Sequence, residues 1–274
     1  MSINNPVLTN VAPLVPLNPK ETTEQRPHIS VSQINEYLNC GAYYMFHKVY
    51  KIRVPSRSYF TIGGSVHKGA EINYKQKKST RTNLSLKEVL DVTANEFEGH
   101  RIKTIWKKDE DPDVIKDQVL ELAKVYYNEV GSKIQPVIVE EQFTVEHEDL
   151  IMPVVFRIDL VDEDGYIRDI KTPGKTPSQN DIDKDLQLTT YSFGYRRATG
   201  KIEKGVILDN VVKTKIPKYA PLQSTRTEQD LRRFVNIANA AIMAIQAGSY
   251  VPDQKSFKCS EENCDFWEKC HEVF

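Results

Sequence analysis

The chain of 274 residues has only four cysteines and two tryptophans, and no apolar run near the ~18 residues that a membrane span requires. A helical integral membrane protein is therefore excluded. The opening MSINNPVLTNVAPLVPLNPK has no basic stretch followed by an apolar one, so no secretory signal is read there. A cytoplasmic protein is expected, whose reduced thiols serve as metal ligands or nucleophiles rather than disulfides. No internal repeat, low-complexity tract, nucleophile elbow or Ser–His–Asp pattern appears. PGKT at 173–176 resembles the end of a phosphate-binding loop. The glycine which that loop needs at position 169 is instead Asp169. An ATP-driven motor is thus excluded, and any helicase would be a separate chain.

What is present suffices for a folded protein. Hydrophobic residues make up 39% and aromatics 9%, enough for a core of one large or two small domains. Net charge is −1, but its distribution is uneven. Residues 47–108 hold 14 Lys/Arg against 5 Asp/Glu, whereas 109–274 hold 21 against 30. A basic segment beside an acidic remainder suits a polyanion-binding face next to a metal-binding one, and equally a solvated helical surface.

Residues 1–27, rich in Pro, Asn and Thr, read as a mobile arm. SQINEYLNCGAYYMFHKVY reads as one helix capped by Ser32, and Gly63 and Gly64 precede a second, SVHKGAEINYKQKK. Helices are expected at 85–103 and 113–130. The period then changes, and strands are expected at 136–145, 152–161 and 166–171. A helix over 181–198 stops at Gly200, strands follow at 203–212 and 216–222, and a last helix opens at Thr227 and closes at Gly248. This order predicts an α/β core with a helical N-terminal addition.

The most informative segment is FRIDLVDEDGYIRDIKT. Strand side chains alternate, so Asp169 and Lys171 share a face. Asp159 joins them only if it pairs with Asp169, which requires an odd loop. A two-residue Asp164-Gly165 turn would separate the acids. A three-residue loop, Glu163-Asp164-Gly165, unites them and puts Gly165 where a left-handed residue is needed. The longer loop is predicted. Two convergent carboxylates attract a hard cation, Mg²⁺ or Mn²⁺, and a lysine beside them stabilises charge on a phosphate. An exposed hairpin with surface ion pairs would show the same Asp-x-Lys. Nearby features favour chemistry: Gln187 and Tyr191 lie one turn apart on the next helix, and His67 is a candidate metal ligand behind its two glycines.

Three of the four cysteines, Cys259, Cys264 and Cys270, form C-x4-C-x5-C in a polar C-terminal stretch. With Cys40, over 200 residues upstream, they would make a tetrahedral zinc or four-iron site that staples the chain's beginning to its end. His271 could replace a weak zinc ligand.

With these residues in hand, the chain resembles the PD-(D/E)xK nuclease superfamily, most of all its RecB-type branch of CRISPR-associated iron–sulfur exonucleases and AddB-type nucleases. The likeness runs over 29–274 in family order: ISVSQINEYLNCGAYYMF, GGSVHKGAE, IDLV, RDIKT, QLTTY and the cysteine trio. It implies a restriction-endonuclease-like mixed sheet flanked by helices, in one nuclease domain over 28–274. Within it, 28–133 would be the helical part, 134–247 the catalytic core and 248–274 the cysteine segment. It implies His67, Asp159, Asp169 and the Ile170 carbonyl as ligands of Mg²⁺ or Mn²⁺, with Lys171 as catalytic lysine. Gln187 and Tyr191 would support the site and DNA, and Cys40, Cys259, Cys264 and Cys270 would hold a 4Fe-4S cluster, with zinc as the alternative. Glu140 or Glu141 would match an acidic position on the first strand. The sequence departs from the family at Phe156, where glycine is common, and in the first cysteine gap, four residues rather than two.

The function expected is metal-dependent DNA hydrolysis, as an exonuclease on single strands or duplex ends. The setting would be phage recombination or CRISPR adaptation, beside a helicase, recombinase or adaptation partner. The alternatives are a DNA-end-binding subunit without turnover and a zinc-stapled interaction protein.

Overall fold

The computed structural model describes residues 27–256 and 258–274. Apart from Pro27, the arm expected over 1–27 lies outside the described residues. A two-residue strand, β1 (Ile29–Ser30), runs directly into helix α1 (Val31–Asn39). Ser30, not Ser32, is the cap. Its hydroxyl accepts the Gln33 N–H, and the Gln33 side chain accepts the Ser30 N–H. The expected single helix is also broken. Cys40 is extended (φ −168°, ψ 109°), and its sulfur accepts the Tyr43 N–H at 3.5 Å to start α2 (Gly41–Tyr44), which runs on as a π-helical turn over Met45–Val49. Gly41 allows close chain approach: a Cβ there would stand 2.8 Å from the Val251 nitrogen.

After β2 (Ser56–Arg57) comes the long helix α3 (Ser58–Thr80). Gly63 and Gly64 therefore lie inside this helix rather than before it. A Cβ on Gly63 would stand 3.6 Å from Thr172 Oγ1, so the residue does face a strand end, whereas Gly64 faces open space. Helix α4 (Leu86–Arg101), strand β3 (Thr104–Ile105) and helix α5 (Pro112–Tyr126) follow, with a π-helical turn at Tyr127–Gly131.

Strands β4 (Pro136–Val145), β5 (Val154–Asp162) and β6 (Tyr166–Lys171) lie close to their expected positions. The helix expected over 181–198 is two, α6 (Gln179–Asp183) and α7 (Leu186–Thr199). Asp185 divides them, because its carboxylate accepts the Leu188 N–H at 2.7 Å and caps a new start. Beyond β7 (Gly205–Val212), the strand expected over 216–222 splits into β8 (Lys218–Tyr219) and β9 (Leu222–Ser224). Helix α8 (Glu228–Gln246) carries the expected Thr227–Asp230 capping box, and an unexpected α9 (Trp267–Val273) closes the chain.

Strands β4, β5 and β6 form an antiparallel meander; β7 joins β6 in parallel and carries β8 and β9 on its far edge, while β1 lies parallel to the start of β5. On one face α3, α4 and α5 bury Val66, Phe97 and Leu122 against Leu160 and Val211. On the other, α1, α7 and α8 bury Ile34, Leu188 and Phe234 against Val154 and Ile158. Each such side chain contributes roughly 1.5–3 kcal/mol of apolar burial. This is the mixed sheet between helical layers that the sequence predicted. A third, smaller cluster joins Ala42, Met45 and Phe46 to Phe266, with Cys40, Cys264 and Cys270 packed against it.

The departure at Phe156 has a structural answer. Its ring lies against Gly194 of α7, where a Cβ would overlap Cζ and approach Cε1 to 2.8 Å. The bulk added to the strand is matched by a glycine on the facing helix. Among the described residues, no helix is long and apolar enough to cross a membrane.

Candidate active site

The hairpin has the register that unites the acids. Leu160 pairs with Arg168 and Val161 with Ile167, which sets Asp159 opposite Asp169. Residues 163–165 form the three-residue loop, Gly165 has φ +88°, and its N–H donates to the Asp162 carbonyl at 3.0 Å. Lys171, two residues beyond Asp169, places Nζ 2.7 Å from Asp169 Oδ2.

Asp159 also sits where β5 changes face. Ile158 belongs to the core under α7, yet Leu160 belongs to the core under α3. Residues two apart in a regular strand share a face, so the strand turns over between them. Across the ladder, Val139 pairs with Leu160 and Glu141 with Ile158, leaving Glu140 opposite Asp159. Glu140 has φ +49°, a left-handed conformation costing a non-glycine residue about 1–2 kcal/mol. This distinguishes the two candidate glutamates. Glu140 is drawn into the site, whereas Glu141 is exposed and faces Lys78 at 3.8 Å.

His67, Glu140 and Asp159 each present a ligand atom, all within 4.8 Å of one another. His67 Nδ1 is 3.4 Å from Asp159 Oδ2, and Nε2 is 2.6 Å from the Ile170 carbonyl oxygen. A carbonyl can only accept, so Nε2 carries the proton and the Nδ1 lone pair faces the acids. The Ile170 oxygen, expected to meet a metal, is here engaged by His67. Burial lowers the His67 pKa despite the opposing pull of Asp169. Burial, then the charges of Asp169 and Glu140, hold the Asp159 carboxyl well above the usual range. Glu140 is raised by burial and by Glu71. Asp159 Oδ2 is buried and accepts no hydrogen bond, whereas Asp169 Oδ2, also buried, is ion-paired to Lys171 at 2.7 Å. The unpartnered Asp159 oxygen, grouped with the Glu140 carboxyl and a neutral imidazole, fits a hard divalent cation.

Gln187 ties the rest together. Its amide donates to Asp169 Oδ1 at 3.2 Å and to the Tyr191 hydroxyl at 2.6 Å, while its Oε1 accepts from Lys171 Nζ at 3.3 Å. The pair expected on one helical face thus meets the acid and lysine of the hairpin. Burial, followed by the Asp159 charge, holds the Tyr191 hydroxyl well above its ordinary pKa, so it stays protonated.

The four cysteines are unbridged, half-buried and line one cavity of about 360 Å³. Burial, then the neighbouring thiols, raises Cys264 and Cys270. Among the described residues no three of these sulfurs fall within 4.8 Å of one another, whereas a tetrahedral zinc would draw them to about 3.8 Å. Nothing in the sequence pattern marks Asp265, which fixes this segment to α2 and to the start of α3. It accepts the Tyr43 hydroxyl and the Arg57 Nε–H, each at 3.1 Å, and Arg57 is the cap of α3.

The basic segment meets acids from elsewhere in the chain. Lys78 faces Glu141, Arg81 pairs with Glu163 and Arg101 with Asp113. Part of its surplus is therefore neutralised in the fold.

Comparison with known proteins follows the same lines. The family model of the PD-(D/E)XK nuclease superfamily matches residues 28–271. No curated protein sequence matches. Among solved structures, a candidate exonuclease from Eubacterium rectale superposes with a TM-score of 0.56 at 13% identity, covering 85% of this chain and 86% of that one. SSO0001 gives a TM-score of 0.35 at 14% identity over 86% and 90% of the two chains, too low to bear on the argument.

Proposed function

Because the chain belongs to the PD-(D/E)XK nuclease superfamily, we propose that it is a metal-dependent DNA exonuclease of the RecB-type branch. The observation that carries this reading is the pair of buried carboxylates on Asp159 and Asp169, one ion-paired to Lys171 at 2.7 Å and the other, with Oδ2 accepting no hydrogen bond, facing His67 at 3.4 Å. His67, Glu140 and Asp159 would hold Mg²⁺ or Mn²⁺, with Asp169 adjoining. Such a cation, when bound, lowers the pKa of a water and offsets charge on a phosphate. Lys171 supplies a fixed positive charge next to Asp169, where the phosphate would lie. Gln187 holds both groups by their hydrogen-bonding atoms, so neither reorganises as charge develops. Tyr191, kept neutral, accepts the Gln187 amide and fixes its orientation.

The structural likeness to a candidate exonuclease supports an end-directed activity, and the cysteine quartet supports the RecB-type branch. Cys40, Cys259, Cys264 and Cys270 would hold a 4Fe-4S cluster in a structural role, binding the start of the domain to its end. A helicase, a recombinase or a CRISPR-adaptation complex would supply the DNA ends. The test is cleavage of end-labelled single-stranded and duplex DNA in Mn²⁺. Asp169→Asn should lower the rate at least about 10³-fold. Unchanged cleavage by this variant would refute the assignment.

A further inference from the structure

The cysteine cavity has a second set of walls that the hydrolytic reading leaves unused. Tyr59 and Phe60, in the first turn of α3, are 53% and 61% exposed, with ring centroids 4.3 Å apart. Two large rings side by side in water forgo apolar burial and call for an occupant. They line the same cavity as Gln187, the residue that holds Asp169 and Lys171. Along α3, His67 lies seven to eight residues further on, about 10–12 Å of axial rise. The cavity therefore runs from exposed rings to Gln187, the side chain that borders the candidate hydrolytic site.

Its chemistry selects the occupant. The walls include Glu36, Asp253 and Asp265, the amides of Asn35 and Asn263, and Lys258; Glu36 is already paired with His47 and Asp265 with Arg57. Amides and carboxylates match the edges of nucleobases, and the rings match their faces. The whole cavity, its cysteine part included, measures about 360 Å³, too little for a base-paired duplex. A group held by the four sulfurs would fill the cysteine part and leave the part bounded by Tyr59, Phe60 and Gln187.

We propose that Tyr59 and Phe60 are a base-stacking platform that receives an unpaired nucleotide of single-stranded DNA next to the reacting phosphate. The inference rests on the nuclease reading and deepens it by naming the residues that position an unpaired base. The rings touch bases rather than the reacting atoms, so they are positioning residues. Phosphates would run outside the cavity and bases inside.

The test uses the full-length protein and two assays. In the first, Ca²⁺ replaces Mn²⁺ and an oligothymidine strand carries a terminal 2-aminopurine, whose emission is quenched by stacking. Wild type should quench it; Tyr59→Ala and Phe60→Ala should each abolish most of the quench, and Phe60→Trp should keep it. In the second, Mn²⁺-dependent cleavage is compared on oligothymidine and on a strand of equal length with abasic sites. Each alanine variant should lose about 10- to 100-fold in kcat/KM on the base-bearing strand and less than about twofold on the abasic one. Quench unchanged in both alanine variants, or equal losses on both strands, would overturn the platform. A wild type that quenches but cleaves nothing would defeat the nuclease reading and leave the platform standing.

Discussion

Asp265 accepts the Arg57 Nε–H at 3.1 Å and thereby anchors the cysteine-bearing C-terminus to the cap of the helix that carries His67. The contact joins two regions 208 residues apart in the chain. It gives the remote lobe a mechanical hold on a candidate metal ligand.

Asp265→Ala should therefore cost more than local stability. Losing a charge-assisted hydrogen bond to a part-buried guanidinium should lower stability by about 1–3 kcal/mol. The Mn²⁺-dependent rate should also fall, by about tenfold, although Asp265 is on none of the elements bearing the acids. Denaturant melts and single-turnover cleavage of the variant would check both effects. A normal rate at saturating metal would show that the anchor serves the cysteine lobe alone.

The two adjacent glutamates of β4 should behave oppositely. Glu140→Gln removes a carboxylate drawn toward His67 and Asp159, and should reduce cleavage by about 100-fold with a higher Mn²⁺ requirement. Glu141→Gln removes an exposed partner of Lys78 and should leave the rate within about twofold. Metal titrations of both variants against one DNA substrate would separate them.

Cation binding should be visible as heat stability. At a free Mn²⁺ concentration 100 times its Kd, binding adds about 2.7 kcal/mol, or roughly 5–10 °C in Tm for a chain of this size. Asp159→Asn removes a buried, repelled carboxylate, so it should raise the Tm of the metal-free protein and abolish the Mn²⁺ shift. Scanning calorimetry with and without Mn²⁺ would register both changes.

A pH effect is expected far from the acids, at His147. The Asp149 N–H donates to its Nδ1 at 3.1 Å, which requires an unprotonated nitrogen. Burial, then Arg197, lowers its pKa below the ordinary value. A base with a depressed folded pKa adds stability that is complete above its unfolded pKa and disappears as pH falls through the folded one. Stability should therefore decline as pH falls below the ordinary histidine value of about 6.5, with about 1 kcal/mol carried by this hydrogen bond. His147→Asn keeps an acceptor but does not titrate, so its urea midpoint should change less over that range. Parallel decline in both proteins would reject the mechanism.

The strands were readable because β-branched runs, turn residues and a single glycine specify them locally. The Asp159–Asp169 register followed from loop parity alone, and Gly165 supplied the left-handed residue that the odd loop needs. Gln187 and Tyr191 were readable from helical spacing. What escaped depends on tertiary contact. Ser30 rather than Ser32 caps α1 because β1 pairs with β5 up to that residue, and either serine looks suitable in sequence. Gly63 and Gly64 were mistaken for a boundary because helix propensity treats glycine as a breaker, whereas packing retains Gly63 against Thr172. Glu140 could not be told from Glu141 because the reversal of β5 between Ile158 and Leu160 leaves no periodic trace.

That Cys40 lines one cavity with three cysteines more than 200 residues later has a consequence for biosynthesis. At ribosomal speeds of about 5–20 residues per second, Cys40 emerges roughly 10–40 s before its partners exist. For that interval Met45 and Phe46 have no Phe266 to cover them, and the thiol stands open to oxidants. Yield in a host should then depend on elongation rate and on the reducing capacity of the cell as much as on the stability of the finished protein.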